Sequence, residues 1–172
     1  MRTWITELVE RIATERTASV VLDLGGGDRT MEDYAREFPL VDFCQEHAIR
    51  LVVAYFVAPN ADSLAPILTI EESGVFRGAS TILVLNEGLV PFGMASDVAF
   101  APVREHPGFR KLLDHAKLVV MPKLGCMTAL ERRRLSFFYP EPGKLGPMNA
   151  FLVKHWLKRM EEAFAPVRQW LP

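Results

Sequence analysis

Apolar positions recur along the chain at two spacings. Between Thr3 and Ala13, Trp4, Ile5, Leu8, Val9 and Ile12 draw one stripe at helical period, with Glu7, Glu10 and Arg11 outside it. Ala18–Leu24 (ASVVLDL) is then a continuous β-branched run broken by Gly25, Gly26 and Gly27, which predicts a buried parallel strand. Thr30 followed by Asp33 resembles a capping box, so a short helix is expected from Thr30 and should stop before Pro39. Arg50–Ala58 (RLVVAYFVA) predicts a second strand, closed by Pro59 and Asn60. Ser63 is placed to cap a helix reaching about Gly74, with Pro66 tolerated in its first turn.

Ser80–Asn86 (STILVLN) predicts a third strand, and Pro107–His115 a short helix. Lys117–Pro122 (KLVVMP) predicts a fourth strand. Pro147 suits the first turn of a last helix whose stripe runs Met148, Phe151, Leu152, Trp156, Met160 and Phe164, with Pro166 kinking or ending it. Alternating strands and helices of this kind imply a mostly parallel sheet covered by helices on both faces, with right-handed crossovers. No internal repeat or linker divides the chain, so residues 1–172 are expected to form one α/β domain.

Composition narrows the function classes. Of 172 residues, 49% are hydrophobic and 24% charged, a globular balance. The net charge of −1 supplies no global pull toward nucleic acid or acidic lipid. Arg132, Arg133 and Arg134 beside Glu131 read as a solvated helix face, and direct nucleic-acid contact is not expected. Cys44 and Cys126 stand far apart in apolar surroundings and read as free core thiols. His47, His106, His115 and His155 show no metal-ligating spacing. Glu46, Glu71 and Glu72 are expected on solvated helix faces. No apolar run reaches a membrane span, and Met1 opens directly into a charged amphipathic segment, so a cytoplasmic location is expected.

Ligands of open parallel sheets bind at the carboxyl ends of the strands. Three such ends carry polar or conformationally special residues: Asp23 through Arg29, Asn86 with Glu87, and Pro122 with Lys123. Taken alone, each has a plain role: Asp23 as a cap, the glycines as a turn, Asn86 as a turn residue and Pro122 as a strand terminator. A dinucleotide fingerprint is a further reading of the glycines, but LGGGDRTM does not match GxGxxG.

Taken in order, the segments VVLDLGGGDR, FVAPNADSL, ILVLNEG and VVMPKL resemble the Walker B strand and switch, the next strand with its proline turn, the adenine-reading strand and the late proline-bearing strand of the ParA/MinD-type ATPases. The wording of DLGGGDR and LVLNEG is most similar to the TraL-like members of plasmid conjugation and mobilisation. The resemblance covers about Ser19 to Leu124. It implies a P-loop-type three-layer fold and a dimeric, nucleotide-dependent switch that uses ATP and Mg²⁺. Asp23 would hold Mg²⁺ through water, and Gly25, Gly26 and Gly27 would approach the γ-phosphate. Asn86 would hydrogen-bond adenine, and the backbone at Pro122 would pack beside the base.

The chain departs from that family at its start. The family opens on a strand and a glycine-rich loop, KGGxGK[ST], whose N–H groups, lysine and hydroxyl hold the phosphates and metal. No GxxxxGK[ST] occurs in this sequence. Phosphoryl transfer is mostly positioning and charge stabilisation, so ATPase activity is expected only if an N-terminal segment completes the site. The chain is then a portion of a longer ATPase or a degenerate relative, the first being favoured because the other motifs are intact, and no bound nucleotide is expected on the chain alone. The alternatives are a non-catalytic module binding a protein partner or a second copy through the former nucleotide face, and a Rossmann-like or flavodoxin-like cofactor protein.

Overall fold

Three of the apolar runs become strands in the computed structural model: β1 (Val52–Val57), β2 (Ser80–Asn86) and β3 (Ala116–Met121). They form one parallel sheet in the order β1-β2-β3, pairing Val52 with Ser80 through Val57 with Leu85, and Thr81 with Ala116 through Asn86 with Met121. The structure describes residues 3–16, 19–24, 29–137 and 142–172. The chain is thus an α/β protein with a parallel sheet flanked by helices.

Sheet position follows from composition. Ile82, Leu83, Val84 and Leu85 of the middle strand are all fully buried, which a run apolar on both faces requires. One face receives α4 (Ala65–Ser73), α5 (Ser96–Ala99), α6 (Ala101–Glu105) and α7 (Pro107–Leu113). There Leu83, Leu85, Tyr55 and Val57 meet Leu64, Ile67, Phe100, Val103, Phe109 and Leu112. On the opposite face Ile82, Val84 and Val119 pack against Val167, Phe164 and Trp170, from the end of α10 (Pro147–Phe164) and the 3₁₀ turn Ala165–Trp170 after it. Pro166 ends α10 as expected, since its ring cannot continue the ladder.

A second cluster gathers α1 (Thr3–Glu15), α2 (Thr30–Glu37) and α3 (Leu40–Glu46). Ile5, Met31, Tyr34, Ala35, Leu40 and Cys44 are its buried members, with Leu51, Val75 and Phe76 against them. Buried Glu32 sits between Arg29 and Arg36, whose guanidinium groups both donate to its carboxylate. Those donors, Arg36 foremost, hold the Glu32 carboxyl below the usual glutamate range against the opposing effect of burial. Cys44 and Cys126 are free and buried, and burial raises both thiols.

Several expectations are corrected. Residues 19–24 form no strand: Val20, Val21, Leu22 and Leu24 are exposed and no described strand pairs with them. An extended run needs a neighbour for its backbone groups, and composition alone does not provide one. Among the described residues the sheet therefore has three strands rather than four. Ala18, Gly25, Gly26 and Gly27 lie outside the described residues. Asn60, not Ser63, makes the cap ahead of α4: its Oδ1 accepts from the Ser63 N–H at 2.9 Å, while Ser63 Oγ donates to the Asn60 and Ala58 carbonyls. Thr30 is the first helical residue of α2, and Arg29 is its N-cap.

In α10 the predicted stripe is only half buried. Met148, Phe151 and Leu152 are exposed, whereas Val153 is fully buried against the cluster of Leu124, Cys126, Leu130 and Leu145. That cluster is built by α10 with α8 (Met127–Arg133) and α9 (Pro142–Leu145), two short helices that the apolar spacing does not announce. Arg132, Arg133 and Arg134 are exposed, as expected. Among the described residues no helix is long and apolar enough to cross a membrane.

Candidate functional site

Parallel pairing aligns the carboxyl ends of all three strands, so Ala58–Pro59–Asn60, Asn86–Glu87 and Pro122–Lys123 follow adjacent strands at one end of the sheet. Each end is built by a short turn. After β2, Asn86 Oδ1 accepts from the Gly88 N–H at 2.9 Å and caps the 3₁₀ turn Glu87–Leu89. Gly88 leaves room for that cap: a Cβ would stand 2.8 Å from Asn86 Oδ1, which would have to shift. The amide nitrogen of Asn86 has no hydrogen-bond partner among the described residues, and its carbonyl oxygen keeps a second lone pair. Asn86 is half-buried. A ligand edge offering one acceptor and one donor meets its requirements.

The end of β3 is tied on two sides. Trp156 of α10 donates its indole N–H to the Pro122 carbonyl at 2.7 Å. Lys123 Nζ donates to the Val90 carbonyl at 2.6 Å, linking the turns that follow β2 and β3. Sequence reasoning names Pro122 and Lys123 but misses their partners, Trp156 and Val90, which lie 34 and 33 positions away in the chain. Pro122 itself is buried, so its carbonyl is already committed to the fold.

The remaining predicted residues precede β1 in the chain and follow none of the described strands. Asp23 is exposed within the unpaired run 19–24. Gly25, Gly26 and Gly27 fall outside the described residues. Among the described residues no group of three His, Cys, Asp or Glu side chains converges as a metal site. The rim beyond β2 is apolar: Leu89, Phe92, Met94 and Val98 are all exposed, Phe92 completely.

Polar groups also converge away from the strand ends. Tyr55 of β1 donates to Glu71 Oε1 at 3.0 Å, and His115 Nε2 stands 2.9 Å from Glu71 Oε2. Glu71 is thus no freely solvated helix residue, in contrast to exposed Glu46 and Glu72. Burial first, then the Glu71 charge, raises the Tyr55 phenol far above its ordinary range. A cavity of ≈ 370 Å³ lies at the amino-terminal ends of the strands, between α3 and residues Arg50, Leu51, Ala79 and Ser80, opposite the predicted nucleotide end. Comparison with protein-family models, curated proteins and solved structures gave no match.

Proposed function

We propose that this chain is the base-side portion, or a degenerate relative, of a ParA/MinD-like ATPase acting in plasmid conjugative transfer, mobilisation or partition. The observation that supports the reading is the sequential parallel order β1-β2-β3, whose carboxyl ends carry Pro59–Asn60, Asn86 and Pro122–Lys123 in the order of the resembling motifs. Asn86 offers a base edge both a donor and an acceptor. Asp23 is the carboxylate this reading assigns to Mg²⁺ through water, and Gly25, Gly26 and Gly27 are the residues it assigns to the γ-phosphate. Without the lysine-bearing glycine loop, adenine contacts alone do not anchor a triphosphate.

Calorimetric titration with Mg·ATP tests this. The chain alone should bind weakly or not at all, and a low-micromolar dissociation constant would refute the missing-cradle argument. Fusing a strand, glycine-rich loop and helix ahead of residue 1 should restore binding. Asp23→Ala should then weaken Mg·ATP more than metal-free ATP.

A second reading, a non-catalytic module that binds a protein partner, draws support from the exposed Leu89, Phe92, Met94 and Val98 on the same rim. Failure of the completed protein to bind ATP would leave that reading standing.

A further inference from the structure

Edge strands that face solvent usually carry a charge, a proline, a bulge or a cover, because their free backbone groups template pairing with other chains. β3 has such a device in exposed Lys117. β1, at the other edge, has none: VVAYFV contains no charge, proline or glycine, and Phe56 is 58% exposed. Its open side can be located. The Leu51 carbonyl accepts from Ser80 N, at the start of β2. Backbone groups alternate along a strand, so Val53, Tyr55 and Val57 face β2, and Val52, Ala54 and Phe56 turn theirs to the open edge.

The same chain holds a strand-like run with no partner among the described residues. Residues 19–24 (SVVLDL) carry four apolar side chains, two of them β-branched, beside Ser19 and Asp23, lie outside regular structure, and expose Val21 to 76%. One chain thus carries an unfilled edge and an unused strand. In their own chain the two are linked by α2 and α3, a tether that makes their mutual concentration high. They are nonetheless unpaired, while α1 and α2, which flank the run, are anchored in the cluster around Ile5, Tyr34 and Leu51. A second copy is free of that tether.

We propose that residues 19–24 of a second copy add to the β1 edge, each copy giving one strand and receiving one, so that the exchange closes as a two-fold dimer. Reciprocal exchange satisfies both edges at once and leaves no strand to propagate.

Sedimentation and cysteine cross-linking test the exchange. The unmodified chain should sediment as a dimer. Chains bearing Val20→Cys, Val21→Cys or Leu22→Cys, each mixed in turn with Ala54→Cys chains, should give a disulfide between copies in at least one pairing; Cys44 and Cys126 are buried. Ala54→Pro removes an outward N–H, and Val21→Lys alters a side chain outside every buried cluster, so the second variant keeps the test clear of misfolding. Ala54→Pro should weaken dimerisation by about tenfold or more, the worth of roughly one or two hydrogen bonds, and Val21→Lys, which puts a charge on the exchanged strand, should weaken it measurably. A monomer at all concentrations, a dimer indifferent to Val21→Lys, or cross-links formed only within one chain carrying both cysteines would each overturn the proposal.

Discussion

Trp156 and Pro122, 34 positions apart, are joined by an indole N–H that donates to a buried carbonyl at 2.7 Å. The bond fixes the turn after β3 to the helix that covers the sheet. Trp156→Phe keeps most of the ring and deletes the donor, leaving the Pro122 carbonyl unsatisfied. Urea unfolding should show a loss of about 1–3 kcal/mol, the cost of one orphaned buried polar group. A loss within experimental error of zero would mean that water replaces the indole.

Asn86 has two separable tasks. Its Oδ1 caps the turn at Gly88, whereas base recognition, in the proposed function, also uses its amide nitrogen. Asn86→Asp retains the acceptor and should keep near-native stability; Asn86→Ala should cost about 1 kcal/mol, as loss of a cap does. In the chain completed with a glycine-rich loop, both variants should lose preference for ATP over GTP. Unchanged base preference in both would remove Asn86 from the site.

Acid should loosen the α2 cluster. Glu32, held between Arg36 and Arg29, has a folded-state pKa below its ordinary 4.5. Its contribution is therefore present above that value and is lost as pH falls from it through the lower folded value. Thermal melts of the native chain should drop across that interval, and Glu32→Gln should flatten that part of the profile while lowering stability at neutral pH.

Alkali acts on Tyr55 in the opposite sense. Burial and Glu71 raise its phenol above the ordinary 10.0, so its contribution holds below that pH and is lost as pH rises through the higher folded value. Ultraviolet titration should show Tyr55, one of three tyrosines, ionising only as the chain unfolds. Tyr55→Phe should abolish that delayed step and cost about 1–3 kcal/mol at neutral pH through the lost bond to Glu71.

The strands that the sequence makes legible are those with a neighbour. Ser80–Asn86 is apolar on both faces and bounded by polar residues, and it lies mid-sheet as its pattern requires. Ser19–Leu24 has the same local chemistry, yet nothing described in the chain pairs with it, because pairing is a long-range property that a window of six residues cannot contain. The last helix illustrates a subtler limit. Its period is correct, but Val153 faces α8 and α9 while Met148 and Phe151 face outward, a rotation set by helices too short to show a period. At the strand ends Asn86 and Pro122 are legible by position. The bonds made by Trp156 and Lys123 are not, because their partners are backbone carbonyls, which carry no residue identity.

Burial of Ile82, Val84 and Val119 beneath Phe164, Val167 and Trp170 also sets an order of events during synthesis. A ribosome polymerises from the amino end, so the middle strand emerges long before the residues that shield its second face. At translation rates of about 5–20 residues per second, that face waits on the order of ten seconds for its cover. Through that interval the nascent sheet is a greasy plate open on one side, a binding target for ribosome-associated chaperones and a point where slowed translation would favour aggregation.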